Sequence, residues 1–141
     1  MTDTPLAGLR ALVADDNPIN LQIIDTFLKR LGLEPHLVED GRQAVDAWAP
    51  GRFDILCFDI VLPELDGLGA FGQSQTRARA MVVPMTPALA ITINAQPHHL
   101  PSYRDAGLDD HLAKPVSRAD LARAISGAIR GAITGATRQG V

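Results

Sequence analysis

The sequence predicts an α/β protein built on a doubly wound parallel sheet. Short apolar runs alternate along the chain with segments of helical spacing, and each run stops at turn-forming or charged residues. Runs bounded in this way are typical of strands that are buried on both faces. Because strand and helix alternate five times, the strands should be parallel, with helices on both faces of the sheet.

Composition agrees with one folded domain and gives no sign of a nucleic-acid or membrane partner. The 141 residues are 46% hydrophobic and 21% charged, with a formal net charge of −3, so no basic footprint is present. No apolar run approaches the roughly 20 residues that span a bilayer. The single cysteine, Cys57, and the absence of a signal-like pattern in residues 1–8 favour a cytoplasmic location.

Five apolar segments are expected to form the strands, and polar residues follow them. Their ranges in chain order are 9–14, 33–38, 53–58, 88–93 and 111–113. The second is the weakest of the five, because its apolar pattern is the least continuous.

Helix signals fill the intervals between these segments. Asn17 suits an N-cap before Pro18, and Gly32 suits the stop of this first helix. A shorter helix is expected over 41–48, and a capping-box pattern at 117–120 opens the last one.

Glycines weaken two of the expected helices. Gly69 and Gly72 each cost the third helix up to ~1 kcal/mol, so we expect it to be short or mobile. Residues 81–83 are interpreted as a loop. Glycines at every fourth position from Gly127 favour a frayed helix end over the tail 131–141, although such spacing can also let another helix approach closely.

Polar residues at the strand ends should meet at one edge of the sheet. The first strand ends in Asp15 and Asp16, the third in Asp59, the fourth in Thr92 and the fifth in Lys114. In a doubly wound sheet, ligands bind outside the carboxyl ends of the strands. Each residue alone could be a capping, turn or solvated side chain, but their coincidence at four strand ends favours a site. Oxygen ligands of this kind suit Mg²⁺, and a hydroxyl with an ammonium suits a phosphoryl group.

Four motifs carry a resemblance to a known family. They are Asp-Asp-Asn-Pro-Ile-Asn at 15–20, Asp-Ile-Val-Leu-Pro-Glu-Leu-Asp-Gly at 59–67, Thr-Ile-Asn-Ala at 92–95, and Ala-Gly-Leu-Asp-Asp-His-Leu-Ala-Lys-Pro at 106–115. In order and spacing they resemble response-regulator receiver domains of two-component signalling, most closely those of hybrid histidine kinases or stand-alone regulators. The resemblance implies a flavodoxin-like fold with strand order 2-1-3-4-5 and five helices, spanning 9–130 between tails 1–8 and 131–141.

The resemblance also implies roles for individual residues. Asp59 would be the phosphoacceptor for a phosphohistidine of a histidine kinase or phosphotransferase, and the chain would act on a downstream protein target rather than as an enzyme. Asp16, Asp59 and the Val61 carbonyl would hold Mg²⁺, with Asp15 acting mainly through a water molecule. Thr92 and Lys114 would hold phosphoryl oxygens, and the Lys114-Pro115 bond would be cis.

Two positions depart from the family pattern. Ile93 stands where Ala or Gly is common after the switch threonine, so we expect slower phosphorylation and hydrolysis than in Ile93→Ala. His111 stands where an aromatic switch residue is frequent, which would make switching pH-dependent. A plain surface histidine is the other interpretation of His111.

The first helix carries more apolar residues than one buried face requires. Ile23 and Ile19 lie on its flank near the predicted site, beside Asn17 and Asn20. This flank is either part of a wide buried face or a docking surface for the phosphodonor.

Two other functions are compatible with the same fold. A receiver-like interaction module that does not use phosphate is favoured only by Ile93. A haloacid dehalogenase-type phosphatase would need a second Asp two residues after the nucleophile, where this chain has Val61.

Overall fold

Five parallel strands form one sheet in the computed structural model, which describes residues 7–49, 51–59, 67–83, 85–92, 108–114 and 116–139. The strands are β1 (Arg10–Ala14), β2 (Glu34–Val38), β3 (Ile55–Asp59), β4 (Ala88–Thr92) and β5 (Asp110–Ala113). Their order is β2-β1-β3-β4-β5. The predicted fold class and strand order are therefore confirmed.

The helices of the described residues are α1 (Pro18–Arg30), α2 (Gly41–Ala47), α3 (Gly67–Ala80) and α4 (Arg118–Gln139). They number four within these ranges, one fewer than the five predicted. The helix expected between the last two strands would fall in 93–107, which lies outside the described residues. None of the helices that the structure describes is long and apolar enough to cross a membrane.

The core consists of one apolar layer on each face of the sheet. Alternate residues of β1 point to opposite faces, so Leu12 packs in one layer and Val13 in the other. The first layer holds Trp48, Phe58 and Phe71 under α2 and α3. The second is built mainly from α1 and α4, whose largest buried residues include Ile24, Leu28, Leu121 and Ile125.

The signals that start and stop α1 act as expected. Asn17 is the N-cap, and its side-chain oxygen accepts hydrogen bonds from the backbone N–H groups of Ile19 and Asn20. Gly32 has φ +93°, and a Cβ there would lie 2.9 Å from the Ala7 Cα. Another residue type would be strained at this turn, which explains why the helix ends here.

One prediction about helix length was wrong. The third helix is not short: α3 runs for 14 residues, because burial of Ala70, Phe71 and Ala78 against the core offsets the weakness of its glycines. The last helix has backbone that continues to Gln139, and the fraying expected of its end stays a prediction. The domain boundaries at 8–9 and 130–131 stay predictions.

Candidate metal and phosphoryl site

Three carboxylates lie together at the carboxyl edge of the sheet. β1 and β3 are neighbours in register, with Ala14 opposite Phe58, so the residues that follow these positions are brought side by side. They are Asp15 and Asp59, and Asp16 lies next to them. Each of the three offers an oxygen within 4.8 Å of the others. Asp15 and Asp59 are buried at 1% and 5% exposure, whereas Asp16 is exposed.

Lys114 places its ammonium between the two buried carboxylates. The Lys114 Nζ lies 2.8 Å from Asp59 Oδ2 and 3.0 Å from Asp15 Oδ2. Partial burial lowers the pKa of Lys114, but the hydrogen bonds and charges of Asp59 and Asp15 outweigh this, so its pKa is raised. The group of three carboxylates thus has one ammonium, paired with two of them, and its remaining formal negative charge favours a further cation.

The start of α1 orients Asp15 from the other side. The backbone N–H of Asn17 donates to Asp15 Oδ1 at 2.9 Å, while the Asn17 side chain caps the helix. The carboxylate is therefore held by a fixed turn at one oxygen and by Lys114 at the other. Such holding from both sides keeps a buried charged group in one orientation.

The oxygens present fit a hard divalent cation. Carboxylate ligands with one exposed member leave room for water, which Mg²⁺ retains when it binds proteins. In the described residues, Lys114 already compensates part of the negative charge that such an ion would neutralise. Asp15, Asp16 and Asp59 could therefore hold Mg²⁺, as the sequence predicts.

An apolar cavity adjoins this group of charged residues. It is lined by Asn20, Ile23, Ile24, Lys114 and Val116. Ile23 is 40% exposed and Ile19 is 67% exposed, although both are large apolar residues. The flank of α1 that the sequence singles out is thus open to solvent rather than part of a wide buried face.

The remaining predicted residues are only partly described. Thr92 ends β4 opposite Ala113, but its hydroxyl is outside what the structure describes. Val61, Ile93 and Pro115 lie outside the described residues. His111 lies on β5 with its Nδ1 3.7 Å from Asp110 Oδ1, and its role as a switch stays a prediction.

Sequence reasoning missed two features of the site. It assigned Lys114 to phosphoryl oxygens alone and not to a pair with Asp15. It also overlooked Val116, which lines the adjoining cavity.

Thiol chemistry is excluded by the surroundings of Cys57. This residue lies on β3, two positions before Asp59, and is fully buried. Burial raises the pKa of its thiol to about 12, so the thiolate is negligible at neutral pH.

Comparison with known proteins identifies relatives of this chain. A family model, the response regulator receiver domain, matches residues 11–126. The chain is 33% identical over 124 residues to the peroxide stress-activated histidine kinase mak1 of Schizosaccharomyces pombe, which covers 86% of this chain and 8% of that kinase. It is 34% identical over 116 residues to sensor protein GacS of Pseudomonas syringae pv. syringae, covering 82% of this chain and 13% of GacS. The chain therefore spans only a small part of these curated relatives.

Solved structures share the fold. The receiver domain of sensor histidine kinase PA1611 from Pseudomonas aeruginosa PAO1 is 36% identical with a TM-score of 0.76, covering 88% of this chain and 99% of that one. It has a magnesium ion coordinated in its active site cleft. A chain in the Saccharomyces cerevisiae complex of the phosphotransfer protein Ypd1 with the Ssk1 receiver domain is 23% identical with a TM-score of 0.81, covering 89% and 91%.

Proposed function

The chain belongs to the response regulator receiver domain family, and from that premise we propose that Asp59 accepts a phosphoryl group from a phosphohistidine. The observation that carries this proposal is the group formed by Asp15, Asp16, Asp59 and Lys114 at one edge of the sheet. A buried carboxylate beside an ammonium and further carboxylates suits an acceptor of an anionic group once a cation is present. Phosphorylation of Asp59 would then change the contacts of the chain with other proteins.

The proposed reaction is a direct displacement at phosphorus. A carboxylate oxygen of Asp59 forms the new P–O bond while the P–N bond of the phosphohistidine breaks, and its electron pair stays on the histidine nitrogen. Catalysis rests on positioning and charge neutralisation, because the protein supplies no other covalent chemistry. Water later hydrolyses the acyl phosphate and regenerates the Asp59 carboxylate.

Lys114 and Thr92 are the proposed partners of the phosphoryl oxygens. The Lys114 ammonium already lies 2.8 Å from Asp59 Oδ2, so it can follow negative charge as this moves onto the phosphoryl group. Thr92 ends the neighbouring strand β4, opposite the residue before Lys114. We assign its hydroxyl to a second phosphoryl oxygen.

Mg²⁺ is the proposed cofactor, and Asp15, Asp16, Asp59 and the Val61 carbonyl would hold it, Asp15 mainly through a water molecule. When bound, it neutralises the negative charge that carboxylates and phosphoryl oxygens bring together. The magnesium ion in the PA1611 receiver domain supports this choice.

A histidine phosphotransferase or histidine kinase is the proposed phosphodonor. The exposed flank of α1, formed by Ile19, Asn20 and Ile23, adjoins Lys114 and offers an apolar surface beside the acceptor. The Ypd1 complex of the Ssk1 receiver domain, whose fold this chain shares, supports a partner of that class.

Phosphotransfer from a panel of purified, labelled histidine kinases and phosphotransferases tests the proposal. The wild type should take label from at least one donor in the presence of Mg²⁺, and Asp59→Asn should take none. An interaction module that does not use phosphate would give no labelled wild type with any donor. Equal labelling of Asp59→Asn would also refute the assignment.

The docking surface has its own test and a matched control. Ile23→Arg should slow transfer from the protein donor at least about tenfold, because a charge would be desolvated at the contact, yet leave labelling by acetyl phosphate unchanged. Leu37→Arg changes a residue of equal exposure, 39% against 40%, on β2 and should have no effect. Unchanged transfer in Ile23→Arg would remove α1 as the docking surface.

A further inference from the structure

Two aspartates make the same pair of hydrogen bonds at the amino edge of the sheet, opposite the site. The Asp54 N–H donates to the Arg10 carbonyl at 2.8 Å, and Asp54 Oδ2 accepts the Arg10 N–H at 2.8 Å. Asp109 and Ala88 repeat this arrangement, with both distances again 2.8 Å. We call these pairs the Asp54 clasp and the Asp109 clasp. Each ties the residue before one strand to the first residue of its neighbour.

The two clasps hold strands of different character. The Asp54 clasp precedes β3, which is buried along its whole length and pairs with both β1 and β4. The Asp109 clasp precedes β5, a strand of four residues at the edge of the sheet that pairs with β4 in the described part of the chain. Two neighbouring strands hold β3 in register, whereas among the described residues β5 is held by one strand, β4.

Register on β5 decides where Lys114 points. Ala113 lies opposite Thr92, and Lys114 follows directly. Because side chains alternate along a strand, a slip of one residue would turn Lys114 away from Asp59 and Asp15.

We propose that Asp109 is a positioning residue for phosphoryl transfer: its clasp on Ala88 fixes the register of β5 and thereby holds the Lys114 ammonium against Asp59. The clasp and the ion pair stand at opposite ends of the same short strand, about 16 Å apart at 3.3 Å per residue. Ala88 is fully buried, so its N–H depends on the Asp109 carboxylate as acceptor. The expected effect on phosphoryl transfer rests on the proposed function, whereas the effect of Asp109 on the position of Lys114 does not.

The NMR signal of the Lys114 ammonium tests whether Asp109 positions this side chain. Lys29 and Lys114 are the two lysines of the sequence, so lysine labelled with ¹⁵N at Nζ gives two ammonium signals. Lys29 pairs with Asp25 at 3.1 Å on α1 and serves as the internal reference. Asp109→Ala should shift or broaden the Lys114 signal and leave that of Lys29 unchanged. Asp54→Ala, the matched control, should leave both signals as in the wild type.

The catalytic part separates metal binding from transfer. Asp109→Ala should bind Mg²⁺ no more weakly than the wild type in calorimetry, because Asp59 belongs to β3, and Asp15 and Asp16 follow β1. At saturating Mg²⁺ its labelling by acetyl phosphate should be about tenfold slower or worse, since small misplacements of a charge-stabilising group have effects of this size. Asp109→Asn keeps a side-chain carbonyl as acceptor for Ala88 and should restore most of the rate.

Three results would overturn the inference. One is a wild-type Lys114 signal and labelling rate in Asp109→Ala, and another is an equal loss in Asp54→Ala, which would indicate a general loss of stability. The third is weakened Mg²⁺ binding in Asp109→Ala, which would indicate a disrupted site. A wild type that takes no label while Lys114 still responds to Asp109→Ala would refute the proposed function and leave the clasp established as structural only.

Discussion

The two edges of the sheet treat their aspartates in opposite ways. At the carboxyl edge, Asp15 and Asp59 are buried together with Asp16 nearby and share one ammonium. At the amino edge, Asp54 and Asp109 each accept a backbone N–H across a strand pair. Like charges held close together destabilise a fold, whereas satisfied acceptors stabilise it. The edge where we propose a cation and phosphoryl site is thus the one whose arrangement of charges stabilises the fold less.

The largest change in the free energy of unfolding is expected from removing the Lys114 ammonium at the carboxyl edge. Lys114→Met leaves buried carboxylates without their partner and should lower the free energy of unfolding by about 2–3 kcal/mol, somewhat less than for a fully buried pair because the Lys114 side chain is 14% exposed. Urea unfolding with and without Mg²⁺ measures this. Mg²⁺ should narrow the gap to the wild type, and a gap that Mg²⁺ does not change would argue against a cation site.

The difference in stability between the wild type and Lys114→Met should also depend on pH. The pKa of Lys114 is raised above the ordinary 10.5 in the folded state, so its stabilising contribution is complete below that pH and is lost as the pH rises through the raised value. The stability difference between wild type and Lys114→Met should therefore stay constant from neutral pH up to about 10.5 and shrink above it. A difference that already vanishes near neutrality would contradict the ion pair.

Ser74 lies at neither edge of the sheet and shows how much one buried hydroxyl without a hydrogen bond changes the free energy of unfolding. Ser74 on α3 is fully buried, and its Oγ has no hydrogen-bond partner in the part of the chain described. Ser74→Ala should raise the free energy of unfolding by about 1–2 kcal/mol with no effect of Mg²⁺, because it removes a desolvated hydroxyl and adds a better helix former. Thermal unfolding checks this, and a destabilised variant would mean that the hydroxyl has a partner.

The smallest effect is expected at the amino edge. Asp54→Ala removes the acceptor of the Arg10 N–H, but Arg10 is exposed and water can replace the carboxylate. The free energy of unfolding should fall by about 1 kcal/mol, equally with and without Mg²⁺. A loss of stability that depends on Mg²⁺ would mean that Asp54 affects the carboxyl edge, and the two edges would then not be independent.

The strands and the cluster of carboxylates were predictable for the same physical reason. A strand buried on both faces is continuously apolar, so the first polar residue at its carboxyl end is conspicuous, as Asp15 and Asp59 are. The expected cluster at one edge follows from parallel pairing alone.

The features that escaped prediction depend on tertiary contacts. The length of α3 is set by burial of Phe71 rather than by the propensity of Gly69 and Gly72. Asp54 and Asp109 look like ordinary turn residues, because their backbone partners lie 44 and 21 residues away in sequence. The ion pair of Lys114 with Asp15 also joins residues that are far apart in sequence, so no local pattern indicates it.

Chemical mapping of the phosphorylated residue tests the assignment of Asp59 most directly. The protein is treated with acetyl phosphate and Mg²⁺, the acyl phosphate is reduced with borohydride, and the peptides are sequenced by mass spectrometry. We expect homoserine at position 59 of the wild type, dependent on Mg²⁺, and at no other aspartate. Reduction at another carboxylate, or none at all in a folded, Mg²⁺-loaded wild type, would contradict Asp59 as the phosphoacceptor.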